Sequence, residues 1–400
     1  MLSFPFKRVS TVRLLWKSAV NNFGIRLLPP WQNTSFMIFF NPLRIFYPTG
    51  RVDATKEKMD SMESQLREML REFKSRSKAK VILESGLFML ILLFLFVGNS
   101  LTLLVLLLNR RMQTIPNLFV ASLAVSDLLL GVFSVGALGI PTLVTSHWPF
   151  NDTTCQFQGY IACTLGNASI QTLVLLAVNR YYRIVKPTKY RRYFTKKKAL
   201  IMILVSWFYS IWAPLIYVLS GSKMVFHPSK FFCYFPIENS AFMAYGIPLY
   251  VGIPTCVIIY CYFRIFTTVR HHNSNFHRPG NPISTVNVEE VKVASTIFVI
   301  VVLFSMCWLP VCTIDLVDTV FQKWLFPREV YVAYTFLGTI SSALNPLIYG
   351  LLNKSFRKHY WKVLWYRCCR SQTVVEPLAW RGRVNVVCRV PLPDVQINAN

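Results

Sequence analysis

An all-α bundle of seven membrane-spanning helices, followed by a short amphipathic eighth helix, is the architecture this sequence predicts. Three observations predict it. The 400 residues are 54% hydrophobic and only 15% charged, with a mean hydropathy of +0.41, whereas a soluble domain carries about 25% charge. Seven apolar runs each reach the roughly 20 residues that a helix needs to cross a bilayer. Within those runs stand Pro141, Pro214, Pro254, Pro310 and Pro346, which would break soluble helices but are tolerated where neighbouring helices re-satisfy the freed carbonyls.

In order, the runs are Leu83–Leu108, Asn117–Leu143, Cys155–Arg180, Ala199–Leu219, Phe242–Phe266, Val291–Val317 and Val330–Leu351. The third has no Asp, Glu, Lys or Arg between Cys155 and Asn179, so it lacks the charged face of a soluble helix. The net charge of +26 would suggest nucleic acid in a soluble protein. Here the basic residues lie between apolar runs, so anionic headgroups and topology explain them, and no nucleic-acid partner is expected.

An odd number of spans puts the termini on opposite sides. One set of loops holds Arg110, Arg111, Arg183, Lys186, Lys189, Arg191, Arg192, Lys196, Lys197, Lys198, Arg264, Arg270, Arg278 and Lys292, and the other only Lys223, Lys230, Lys323 and Arg328. By the positive-inside rule the first set is cytoplasmic, which places the N-terminus outside and the C-terminus inside.

The expected division is an N-terminal segment 1–82, a bundle 83–352, a membrane-surface helix 353–369 and a disordered cytoplasmic tail 370–400. Residues 1–80 hold 15 Lys/Arg against 6 Asp/Glu, an ill fit to an outer segment, so translation is expected to start downstream, at Met59 or Met62, leaving residues 1–58 in question. Glu57–Lys80 has helical character but no span. Asn33-Thr34-Ser35 and Asn151-Asp152-Thr153 are glycosylation sequons; Asn167-Ala168-Ser169 is another, placed within the bilayer. In the surface helix, Lys354, Arg357, Lys358 and Lys362 share one side. Ten cysteines are too sparse for a disulfide scaffold. Cys163, Cys256, Cys261, Cys307 and Cys312 read as small apolar residues.

Ionisable groups inside a span are rare and mark function. Three stand out: Asp127 in the second run, Arg180 ending the third and Asp315 near the end of the sixth. The motifs around them, one per helix, are Gly98-Asn99, Leu123-Ala124-Val125-Ser126-Asp127, Asn179-Arg180-Tyr181, Trp207, Pro254 with Tyr262, Phe304-Ser305-Met306-Cys307-Trp308-Leu309-Pro310, and Asn345-Pro346-Leu347-Ile348-Tyr349. In this order the chain resembles the rhodopsin-like (class A) G-protein-coupled receptors over about residues 83–368, with a weaker, partial resemblance to melatonin receptors.

That resemblance implies a plasma-membrane receptor that passes an extracellular signal to a heterotrimeric G protein, with arrestin, receptor kinases and membrane lipids as further partners, and no enzyme. It implies an allosteric sodium ion at Asp127 with Asn99, Ser169, Ser342 and Asn345, next to Trp308; the plainer reading of Asp127 is a polar helix–helix contact. It implies that Arg180 restrains the closed state and faces the G protein when the sixth span swings out, though a snorkelling arginine would look the same. Asn179 stands where an acid is usual, so Glu290 is left to supply a partner. Ile170, Pro254, Phe304, Trp308 and Pro310 correspond to the switch core, and Tyr262, Asn345, Pro346 and Tyr349 to the activation machinery. The family joins Cys155 to Cys233, and Cys368 and Cys369 stand where palmitoylation is common.

Departures from the subgroups narrow the ligand. Thr339 stands where opsins carry the retinal lysine, so no retinal is expected. Ala162 stands where amine receptors carry an aspartate, so no monoamine ion pair is expected there. Pro346 and Tyr217 depart from melatonin receptors. Helical phase assigns the pocket wall to Ala162, Cys163, Gly166, Gly246, Tyr250, Val311, Cys312, Asp315, Thr335 and Thr339. Such a wall suits an amphipathic small molecule or a short peptide with a basic group facing Asp315; a solvated carboxylate at the helix end remains the alternative.

A transporter would show internal repeats, and none is evident. A membrane enzyme would cluster His, Asp or Glu at the membrane face, but the six histidines lie in loops or tail, none paired with a nearby acid.

Overall fold

The computed structural model describes residues 52–236, 245–275 and 288–370. Among these, seven helices are long and apolar enough to cross a membrane: Lys78–Leu108, Ile115–Thr145, Asp152–Val185, Lys196–Leu219, Tyr245–His271, Val291–Phe321 and Arg328–Leu352. Most extend past the apolar runs, because local capping sets their ends. The first begins at Lys78 rather than Leu83, with the Ser77 hydroxyl accepting from the Lys80 backbone N–H at 3.2 Å. Asn151 Oδ1 opens the third by accepting from the Thr154 N–H at 2.9 Å, and Thr195 opens the fourth in the same way. Each supplies an orphan amide with an acceptor.

Leu83, Leu93, Leu204, Phe208, Leu309 and Leu351 lie on the exterior, each more than half exposed. A belt of this kind would aggregate in water and is at home in lipid. Inward, polar side chains stitch the spans together. Trp207 Nε1 donates to Ser122 Oγ at 2.9 Å, joining the fourth span to the second. Gly98 is tied to its site by close approach, since a Cβ there would lie 2.8 Å from a Pro346 side-chain carbon of the seventh span. Small residues at such crossings let backbones meet where lipid offers no hydrophobic drive.

At one end, a two-stranded antiparallel hairpin, β1 (Val225–His227) and β2 (Phe232–Tyr234), lies between the fourth and fifth spans. The Cys155–Cys233 disulfide joins it to the head of the third span. Two glutamines of that span clamp it. Gln156 exchanges two hydrogen bonds with the Met224 backbone, both 2.8 Å, and Gln158 Oε1 accepts from the Cys233 N–H at 3.0 Å. Gly159 lets the hairpin sit this close: a Cβ would fall 2.9 Å from the Cys233 carbonyl oxygen.

The same end carries an N-terminal helix, Val52–Lys74. Met62, Leu66 and Met69 recur at helical spacing and pack with Trp324 and Tyr331, while Phe73 is fully buried against Phe226. Arg76 follows and donates to Glu84 Oε2 at 2.6 Å, to the Leu143 carbonyl at 2.5 Å and to Ser146 Oγ at 2.8 Å. Arg328 of the seventh span grips both oxygens of the same glutamate at 2.8 and 2.6 Å. The sequence indicates helix around Glu57–Lys80 but not this anchorage.

At the opposite end, marked by Arg180, the surface helix Lys354–Arg370 follows the seventh span. Phe356 is buried, Tyr360 hydrogen-bonds Thr102 at 2.7 Å, and Lys354, Arg357, Lys358 and Lys362 are exposed. The two-sided pattern is therefore a buried aromatic face and a basic exposed one.

Candidate functional site

A cavity of about 200 Å³ opens among the spans beneath the hairpin. All ten residues assigned to the wall by helical phase line it, from Ala162 and Cys163 through Tyr250 to Thr339. Phe88, Gln158, Phe231, Phe232 and Tyr334 are among the other lining residues. The hairpin residues among these point inward only because the disulfide and the glutamine clamp fold the loop back over the bundle, and no helical period announces that.

Asp315 is not free in the wall. Lys230 Nζ, from the hairpin turn, donates to Asp315 Oδ1 at 2.9 Å, and the Tyr234 and Tyr334 hydroxyls both donate to Oδ2 at 2.8 Å. The carboxylate expected to face a basic ligand group thus meets a basic group of the chain itself. Asp318, one turn on, accepts from the Tyr331 hydroxyl at 3.0 and 2.9 Å; the sequence reading passed over it. In the hairpin, burial and then the Lys230 charge hold the His227 imidazole well below its usual value. Burial, with Asp315 next, pushes the Tyr234 phenol well above its own.

At the cavity floor, Trp308 and Phe304 stack at 5.6 Å, Trp308 Nε1 donates to Ser341 Oγ at 3.0 Å, and Ile170 is buried in the cavity wall. Pro254 is buried and Pro310 exposed; a proline inside the sixth span frees a carbonyl and weakens the helix there.

Toward the Arg180 end lies Asp127, wholly buried. Asn345 Nδ2 donates to its Oδ2 at 2.8 Å and Ser169 Oγ to its Oδ1 at 3.3 Å; the Ser342 hydroxyl stands beside it. Asn99 stands one step removed, donating to the Ser342 and Leu95 carbonyls at 3.2 and 3.0 Å. A buried carboxylate held by neutral donors lacks a counter-charge. Its oxygens, together with two serine hydroxyls and an amide, are the hard donors that a small alkali cation takes, so the residues fit a sodium ion.

Arg180 is buried at 3% exposed, within electrostatic reach of Tyr262. Asn179 Nδ2 donates to the Tyr190 hydroxyl at 3.3 Å, so the residue that replaces the usual acid holds the short helix Pro187–Tyr193 instead. The buried Tyr262 and Tyr349 hydroxyls find no hydrogen-bond partner among the described residues. The side chains of Glu290, Cys368 and Cys369 lie outside the described residues, as does the Asn33 sequon. Asn151 caps the third span through Oδ1 and is exposed.

Seven spans, a pocket capped by a disulfide-held hairpin, a buried polar cluster at Asp127 and a buried arginine at the opposite end are the features of a seven-span membrane receptor. Comparison with known proteins agrees. The model of the family "7 transmembrane receptor (rhodopsin family)" matches residues 98–349, and the chain belongs to that family, the class A G-protein-coupled receptors. Among its relatives are the melatonin receptor type 1A of Mus musculus, 28% identical over 70% of this chain and 79% of the relative. That of Ovis aries is 28% identical over 70% and 76%, and type 1A-A of Danio rerio 29% over 67% and 76%. The protein is accordingly a multi-pass plasma-membrane receptor, not an enzyme.

Proposed function

We propose that the cavity under the hairpin binds an extracellular amphipathic small molecule, and that binding is relayed through Trp308 and the Asp127 cluster to Arg180, where a heterotrimeric G protein docks. The hairpin end then faces outside and the basic loops face the cytoplasm. The observation that carries this reading is that Trp308, which stacks on Phe304 and bonds Ser341, lines the cavity, so a ligand there touches the core of the bundle directly. A largely apolar wall and a volume of about 200 Å³ suit a small molecule better than a peptide. Neither the retinal lysine nor the amine-binding aspartate is present at Thr339 and Ala162, which argues against both ligand classes.

Melatonin, the ligand in the relatives' names, is one candidate. Tyr217, at a position where the sequence departs from those receptors, donates to the Lys223 carbonyl at 3.2 Å and braces the hairpin. That use sets this pocket apart.

Activation is a population shift, driven by the ligand's preference for the open state. Opening brings Tyr262 and Tyr349 into hydrogen bonds they lack in the conformation described, which repays part of the cost of burying them unpaired. A sodium ion held at Asp127 in the resting state, and arrestin and receptor kinases after activation, belong to the same reading. It is tested by measuring cAMP and calcium in cells expressing wild type or Arg180→Ala, against indoleamides, other small amphiphiles and short peptides. Arg180→Ala should keep surface expression and lose agonist-stimulated nucleotide exchange by tenfold or more, on the order expected for a central coupling residue. Retained exchange in the variant would overturn the assignment.

A further inference from the structure

Lys230 is an unusual lysine. Its side chain is 2% exposed, although it comes from a hairpin turn rather than from a helix facing the bundle. The ammonium meets the Asp315 carboxylate at 2.9 Å and lies 4.0 Å from the Tyr334 ring centroid, 4.3 Å from Tyr234 and 5.5 Å from Tyr331. Three aromatic faces and one carboxylate are the means by which proteins recognise a ligand ammonium. Two of those rings also orient the carboxylate, because the Tyr234 and Tyr334 hydroxyls donate to its other oxygen. Asp315, Tyr234 and Tyr334 all line the cavity. The backbone is tied down as well, with Thr335 Oγ1 donating to the Lys230 carbonyl at 2.8 Å.

We propose that these groups form an ammonium site inside the receptor pocket and that the chain's own Lys230 is its resident occupant, excluding external alkylammonium ions until it is withdrawn. The inference rests on the cavity being the receptor's pocket, but the site itself does not depend on coupling. An ordinary structural ion pair would need no cage. Here the carboxylate is presented to the cavity, and the cation is the end of a flexible side chain reaching in from a loop whose backbone is fixed.

Truncating Lys230 to alanine removes three methylenes and the ammonium, which together make n-propylammonium. The experiment is thermal unfolding of the purified full-length receptor with n-propylammonium at millimolar concentration, and with n-propanol as the uncharged control. Lys230→Ala should gain about 3 °C from the ammonium at saturating concentration, and nothing from the alcohol. Wild type and the double variant Lys230→Ala/Asp315→Asn should gain neither. An equal gain in wild type would mean that Lys230 does not hold the site. No gain in a folded Lys230→Ala, or the same gain from n-propanol, would mean that no ammonium site exists.

Should Lys230→Ala fail to fold, a second comparison decides. Asp315→Asn alone strands a buried ammonium and should lower Tm by about 5 °C or more, and adding Lys230→Met should restore most of that loss. No restoration would overturn the proposal. Because none of these readings uses a G protein, loss of signalling in the cellular assay and loss of the ammonium site are told apart.

Discussion

The two ends of the bundle differ in how their acids and tyrosines are partnered. At the hairpin end three carboxylates are bonded more than once: Glu84 lies between Arg76 and Arg328, Asp315 has Lys230 and two tyrosines, and Asp318 has the Tyr331 hydroxyl and the Leu325 N–H. At the Arg180 end the Tyr262 and Tyr349 hydroxyls and Asn179 Oδ1 are buried with no hydrogen-bond partner among the described residues, although His227 Nε2, Ser229 Oγ and Arg328 Nε are left so at the hairpin end too. A satisfied network in a low dielectric is rigid, and a partly satisfied one is poised to rearrange. The hairpin end therefore holds three carboxylates in fixed pairings, and the Arg180 end leaves two tyrosine hydroxyls to be partnered in another conformation.

That contrast can be broken most severely at Glu84. Glu84→Ala leaves two arginines, 1% and 4% exposed, without their counter-charge, and stranding buried charges costs about 3–5 kcal/mol. The expected result is a large fall in the Tm of the purified receptor together with lost binding, because the N-terminal helix and the first, second and seventh spans share this one anchor. A Tm unchanged within a degree would show the anchor to be ornamental.

A smaller effect, and of opposite kind, is expected at the other end. Tyr349→Phe removes a hydroxyl that has no partner here, so thermal stability should hold or rise, by at most about 1 kcal/mol. Agonist-stimulated nucleotide exchange should nevertheless fall several-fold, because the open state loses a hydrogen bond. Stability and signalling both unchanged would place Tyr349 among plain packing residues.

The smallest effect is a pH dependence of the hairpin. His227 is buried beside Lys230 and held well below its usual 6.5. Below pH 6.5 the unfolded chain takes up a proton that the folded chain refuses, so stability is complete above that pH and declines as pH falls, by at most about 1.4 kcal/mol per unit. The wild-type Tm should drop between pH 6.5 and 5.5 by more than that of His227→Gln. Parallel curves for the two proteins would refute the assignment.

Much of this was legible in the residues. Apolar run length located the seven spans, and their motifs, one per helix in order, indicated the family. Helical phase placed ten residues on the cavity wall because 3.6-residue geometry is local. The cystine partner of Cys155 came from the family's pattern, not from spacing. What stayed hidden was the filling of the pocket from the loop side. Lys230 read as one of a few basic residues in a sparsely charged loop, and Asp315 as an open counter-charge. Asp318 and Tyr334 went unremarked, being a turn or a single residue away from positions that were assigned.

The sequence by itself determined what depends on neighbours along the chain: which segments enter the bilayer and which intramembrane polar residues demand partners. Tertiary structure alone decided who those partners are. Lys230 finds Asp315 across 85 residues and Arg328 finds Glu84 across 244. Such pairings are set by how helices and a disulfide-tethered loop pack in three dimensions, and a periodicity along the chain carries no record of them.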